Sequence, residues 1–258
     1  MVRLFFLLFF IAQLSYAQSL AEVEKTPLKV DTFIGIDSYN SLYFVKGMVL
    51  HKKSSSQNFQ FTDFQLGAIT SVDIINPLNV VVFYGDTNTA VLLDNRLSEI
   101  ERIQFNNLPE FLNISAATNA GGNRLWVFNI DSQQLELYNY RTGRSSIISQ
   151  PITANVISQT SNFNYCYILT EKKIRVYNIF GGIVHEIPIS EATKIVQHNE
   201  NYLVLKNNQL HFYKQNTPEP KVLKTPNITI KDLQLTQDFL YIYDREFLYK
   251  IALNQPKN

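Results

Sequence analysis

Cysteine occurs once, at Cys166, so no internal disulfide can staple this chain. Tryptophan also occurs once, at Trp126. Charge is sparse, at 17% of residues, and nearly balanced, with a formal net charge of +1. Setting aside Arg3, the only charge in the first seventeen residues, 22 basic residues face 22 acidic ones. That balance gives no broad pull toward nucleic acid or anionic lipid. Beyond residue 17 there is no apolar run long enough to span a bilayer. No nucleophile elbow, Walker loop or dinucleotide fingerprint is present. The four histidines, His51, His185, His198 and His211, include no pair with zinc-site spacing. They read as satisfied or surface side chains.

Aromatic residues, by contrast, are plentiful: 14 Tyr and 18 Phe among 258 residues. With 45% hydrophobic residues, the composition favours a packed β fold over disorder. The stretch Asn123–Tyr140, NRLWVFNIDSQQLELYNY, is two β-prone apolar runs around a polar turn, a hairpin signature. It recurs. Copies open on Asn40, Asn79, Asn123, Asn164, Asn201 and Asp238, spaced by 39, 44, 41, 37 and 37 residues. After each anchor come consecutive apolar residues, such as Leu125-Trp126-Val127 and Leu203-Val204-Leu205. Successive side chains of a strand point to opposite faces. These strands are therefore apolar on both sides, as required of small sheets stacked between neighbours.

A short strand precedes each anchor, and a fourth follows most hairpins. Four strands per unit of about forty residues is the blade of a β-propeller. The fold class is thus all-β: a six-bladed propeller of four-stranded antiparallel blades. The last unit has only three strands. The segment Thr26–Asp31 is expected to supply the fourth and close the ring, since an open ring leaves two unpaired edges. Residues 26–254 then form one domain. Residues 18–25 read as a flexible lead-in. Met1–Ala17, with one basic residue, an apolar core and a Ser-Tyr-Ala ending, reads as a signal peptide. Its cleavage leaves no stable membrane anchor, and the expected location is exported, periplasmic or secreted.

Individual residues are read on this frame. Cys166 falls at a core position and reads as a small buried hydrophobe. Lys52-Lys53, beside three serines, reads as a solvated loop tip. The first strand of each blade lines the axis, and its polar members are Asp37, Asp73, Thr118, Gln159, Gln197 and Gln234. These six are the candidate ligand-binding positions. Only two are carboxylates, whereas calcium prefers several. Asp37 and Asp73, from adjacent blades, either share a cation or cap turns.

The segments Val176-Tyr177-Asn178-Ile179-Phe180-Gly181-Gly182 and Leu137-Tyr138-Asn139-Tyr140-Arg141-Thr142-Gly143 resemble the PQQ-like and WD40-like β-propeller superfamily. The resemblance covers the whole chain after the leader. The Gly-His and Trp-Asp dipeptides of WD40 blades are absent, as are the tryptophan-docking repeats of quinoprotein dehydrogenases. The resemblance therefore implies no cofactor. It implies a non-enzymatic scaffold of the cell envelope that binds a protein or peptide. Six-bladed propellers that hydrolyse lactones or esters with an axial calcium ion are similar in layout. They supply the alternative, a hydrolase or small-ligand binder using the channel around Asp37 and Asp73.

Overall fold

The computed structural model describes residues 21–253 except 216, 218, 226 and 227, with side chains from residue 24 onward. The leader Met1–Ala17 lies outside the described residues. The chain forms six four-stranded antiparallel sheets. Five are contiguous in sequence, and the sixth takes its outermost strand from the front of the chain. From blade 1 to blade 6 the inner strands are Thr32–Ile36, Ser71–Asp73, Ile114–Gly121, Val156–Ser161, Ala192–His198 and Asp232–Leu235. A single 3-10 turn, Phe105–Asn107, is the only helical element among the described residues.

The doubled apolar strands do what their pattern requires. In the second strand of blade 2, Val80–Tyr84, all five residues are buried. Val80, Val82 and Tyr84 pack with Tyr43 and Leu50 of blade 1. Val81 and Phe83 pack the other way, with Leu125, Val127 and Tyr138 of blade 3. The same two-sided packing runs round the ring. Trp126 and Phe128 meet Cys166 and Ile168 of blade 4. Tyr167 and Leu169 meet Tyr202 and Val204 of blade 5. Leu203 and Leu205 meet Leu233 and Ile242 of blade 6. Phe33 of blade 1 meets Tyr241 and Tyr243 of blade 6. The core is thus six seams instead of one centre. Each buried large side chain contributes about 1.5–3 kcal/mol through its loss of water contact. Cys166 is fully buried in its seam, and burial pushes its thiol pKa up.

Ring closure occurs, with a shifted strand. Ala21–Pro27 pairs antiparallel with Phe247–Ala252, Lys25 lying opposite Tyr249. The closing strand therefore starts earlier than Thr26–Asp31, and Ala21–Lys25 is strand, not flexible lead-in. An outermost blade strand is wet on one side and can be polar, as AEVEKTP is. The apolar Leu28 and Val30, which suggested a strand further on, instead tuck into the seam between blades 6 and 1.

Candidate functional site

Polar residues of the inner strands converge on the ring axis, but their hydrogen bonds run sideways, from blade to blade. Asp37 lies just past the inner strand of blade 1. Its Oδ1 accepts from Tyr39 N at 2.9 Å and Ser41 N at 2.8 Å, capping its own turn. Its Oδ2 accepts from the Tyr43 hydroxyl at 3.1 Å and pairs with Lys52 at 3.5 Å. Burial, then the Asp37 charge, pushes the Tyr43 hydroxyl pKa far up. Lys52 is not on a solvated tip. It lies on the third strand, is 6% exposed, and donates to Asn95 O of blade 2 at 2.9 Å. The alternation of strand Val49–Lys53 turns Lys52 inward, where Asp37 compensates its charge.

Asp73 fastens the next seam. Its Oδ1 accepts from Ile75 N at 3.0 Å and its Oδ2 from Asn119 N of blade 3 at 2.7 Å. Burial outweighs these two donors and pushes its carboxyl pKa up to about 6. Asn119 returns the contact, donating to Asn79 O at 2.7 Å. At the seam of blades 3 and 4, Thr118 Oγ1 accepts from Gln159 Nε2 at 3.2 Å and Ser161 Oγ at 2.8 Å. The Trp126 indole donates to Asn162 O across the same seam. Gln197 Nε2 of blade 5 donates to Ser161 O of blade 4 at 2.7 Å. Gln234 of blade 6 clasps Ile36 of blade 1, accepting from its N at 2.7 Å and donating to its O at 2.8 Å.

Asp232, which lies two residues before Gln234 and on the same side of the strand, was missed by the sequence reading. It is 5% exposed, accepts from Phe33 N of blade 1 at 3.1 Å, and pairs with Lys194 of blade 5 at 2.6 Å. One carboxylate thus ties three blades. A carboxylate at i−2 from another axial polar residue was the available signal.

Five of the six positions read from the sequence make contacts across seams, whereas Asp37 bonds within blade 1 and reaches blade 2 only through Lys52. No contact joins the Asp37 and Asp73 carboxylates, each of which caps its own turn. Among the described residues no group of three or more His, Cys, Asp or Glu gathers where a metal ion could sit. Gln159 Oε1 and Gln197 Oε1 are buried without a hydrogen-bond partner. Among the histidines, His51 stacks on Phe44 with ring centres 4.7 Å apart. His198, read as satisfied or surface, instead has a buried Nε2 with no partner.

The connections between strands supply the other candidate surface. Second-to-third-strand turns and blade-to-blade links share one face, because strands alternate in direction. That face holds out Met48, Phe64, Phe111 and Ile130, with Phe64 72% exposed and Phe111 56%. Two of them are braced: Thr62 Oγ1 donates to Met48 O, and Ile130 N donates to Asn113 O. Large apolar side chains held out on one exposed face are the ordinary marks of a contact surface.

No protein-family model and no curated sequence matches this chain. Solved structures do. PorZ, described as an essential bacterial surface component of the type-IX secretion system of Porphyromonas gingivalis, aligns at a TM-score of 0.54 and 13% identity. The alignment covers 89% of this chain and 33% of PorZ, so the chain spans about a third of that protein. BamB from Moraxella catarrhalis aligns at 0.53 and 10% identity, covering 91% of this chain and all of BamB. A catalytically inactive virginiamycin B lyase from Staphylococcus aureus, solved with quinupristin, aligns at 0.62 and 9% identity, covering 89% and 99%. The neighbours thus include an enzyme as well as a surface component of a secretion system. At such identities the likeness is one of fold: this ring of six four-stranded blades is a β-propeller, consistent with the WD40 domain and BamB among its structural neighbours.

Proposed function

We propose that this chain is an exported, non-enzymatic scaffold that binds a protein or peptide through a loop-bearing face. The observation that carries this reading is a division of labour in the ring. Most of the axial polar groups hold neighbouring blades together, while Met48, Phe64, Phe111 and Ile130 are exposed on connections of one face. A stiff ring keeps such loops in place, which lowers the ordering cost of binding. Export rests on the leader read at Met1–Ala17, and the bacterial surface setting of PorZ is in keeping with it.

The test is affinity purification from the native host after mild cross-linking, with Phe64→Ser and Phe111→Ser variants in parallel. The scaffold reading expects a defined protein recovered with the wild-type chain. It also expects that protein to be lost with the variants, whose melting temperature stays unchanged because both side chains are exposed. Recovery of the chain alone, or equal recovery with both variants, overturns it.

A further inference from the structure

Blades 5 and 6 part at the face formed by their inner-strand turns and leave a cavity of about 280 Å³. Its floor is apolar: Leu235 is buried, while Phe212 and Leu253 lie half-buried at the edge of the seam core. Its rim includes His198, Asn199, Asn201, Thr236 and Gln237, all polar, and among the described residues no Lys, Arg, Asp or Glu lines it. The hairpin turn Asn199-Glu200 takes positive φ at both residues, 45° and 67°, the twist a two-residue hairpin favours. That turn pairs His198 with Asn201 at its base and holds both at the cavity wall. His198 Nε2 is buried without a hydrogen-bond partner among the described residues. Burial holds the imidazole pKa below its ordinary value, against a weaker opposite pull from Asp238. The exposed Asn199 carboxamide makes no hydrogen bond among the described residues.

Carboxamides offer a donor and an acceptor together, and a neutral imidazole offers one of each. Such a rim answers hydroxyl groups, which are also both donor and acceptor. The missing charge counts against ionic ligands, whose desolvated charge would find no opposite partner. The apolar floor suits the C–H face of a sugar ring. The volume lies at the small end for ligand sites. We propose that this inter-blade cavity binds an uncharged, hydroxyl-rich ligand of monosaccharide size, its hydroxyls on the Asn199 carboxamide and on the amide of Asn201, whose Oδ1 already accepts from Gln215 N at 3.0 Å, and its apolar face over Phe212 and Leu253. This site is independent of the protein-binding face, which lies on the opposite side of the ring.

The test is titration of the full chain with glucose, galactose and N-acetylglucosamine, and with glucuronate as a charged analogue, read by saturation-transfer NMR and calorimetry. The expected result is saturable binding of at least one neutral sugar, with glucuronate weaker by about tenfold or more. Asn199→Ala weakens that binding by about tenfold, roughly one hydrogen bond, and lowers the melting temperature by only a few degrees, because alanine takes the positive φ of this turn less readily than asparagine. Leu253→Trp, which fills the cavity, abolishes it. Three results overturn the proposal: no saturation by any neutral sugar, equal binding of glucuronate, or binding that survives Asn199→Ala unchanged.

Discussion

Gly35 and Gln234 meet where the first and last blades join: a Cβ built on Gly35 would lie 2.8 Å from the Gln234 carboxamide carbon. Only a residue without a side chain lets that carboxamide reach Ile36, where it makes two hydrogen bonds. Gly35 also sits at a register shift of its strand, which presents the Ile36 backbone to blade 6. The glycine and the glutamine thus act as one closure device.

Replacing Gly35 with alanine is therefore expected to lower stability by roughly 1–3 kcal/mol, through the displaced carboxamide and its two bonds. Urea unfolding measures it. Gln234→Ala added to Gly35→Ala should cost little more, because both remove the same contacts. Additive losses would show that the two residues act separately.

Asp73 gives the fold a pH dependence of unusual sign for a carboxylate. Burial raises its folded pKa to about 6 from an ordinary 3.8. Between those values the folded state binds more protons than the unfolded chain, so stability falls as pH rises through the window. Each unit of separation corresponds to about 1.4 kcal/mol, which bounds the loss at roughly 3 kcal/mol. Asp73→Asn should remove that slope between pH 4 and 6. The slope is the quantity to measure, because asparagine offers one acceptor oxygen where Asp73 uses two. An identical slope in variant and wild type would place the carboxyl in ordinary solvent.

Much of the ring was legible in the sequence because two-sided burial leaves a plain mark. Runs such as Val80–Tyr84 are apolar at every position, and only a sheet packed between two others needs that. The closing strand was misplaced because its outer position imposes no such demand: Glu22, Glu24 and Lys25 are compatible with an edge. Along the axis, the polar positions were legible but their partners were not. Register shifts near the start of the inner strands of blades 1, 3, 4 and 5 change which side a residue faces. Contacts such as Asp73 to Asn119 join residues from separate repeats, and no local pattern encodes them. The inward turn of Lys52 was hidden for the opposite reason. A Lys-Lys-Ser string looks solvated, and only the buried Asp37 beside it makes its position tolerable.

Calcium provides a direct check on the axial carboxylates. Asp37 and Asp73 each already accept two backbone bonds, Asp37 from its own turn and Asp73 from its own turn and from blade 3. Adding calcium, or removing it with EDTA, is expected to leave the melting temperature within about 1 °C, since a ligand that does not bind the folded state shifts nothing. Asp37→Asn should cost roughly 3–5 kcal/mol with or without calcium, because it leaves the buried Lys52 ammonium uncompensated. A calcium-dependent rise of several degrees, lost in Asp37→Asn and Asp73→Asn, would instead establish a shared cation.

The Tyr243 hydroxyl holds the link between the closing strand and blade 1. It accepts from Val30 N at 3.0 Å and donates to Val30 O at 2.7 Å, from a ring that is fully buried. Phenylalanine at 243 keeps the ring packing against Phe33 and removes only these bonds and the hydroxyl's contact with Arg245 O at 3.0 Å. The expected global loss is about 1–2 kcal/mol. The local effect should be larger, because the described side chains of the closing strand, residues 24–27, are exposed, and such segments open from the low-stability end of a structure. Trypsin should then cut after Lys25 or Lys29 several times faster in Tyr243→Phe than in the wild-type chain, while cleavage within blades 2 to 5 is unchanged. Equal rates at Lys25 and Lys29 would mean that strand pairing with Phe247–Ala252 alone keeps the ring shut.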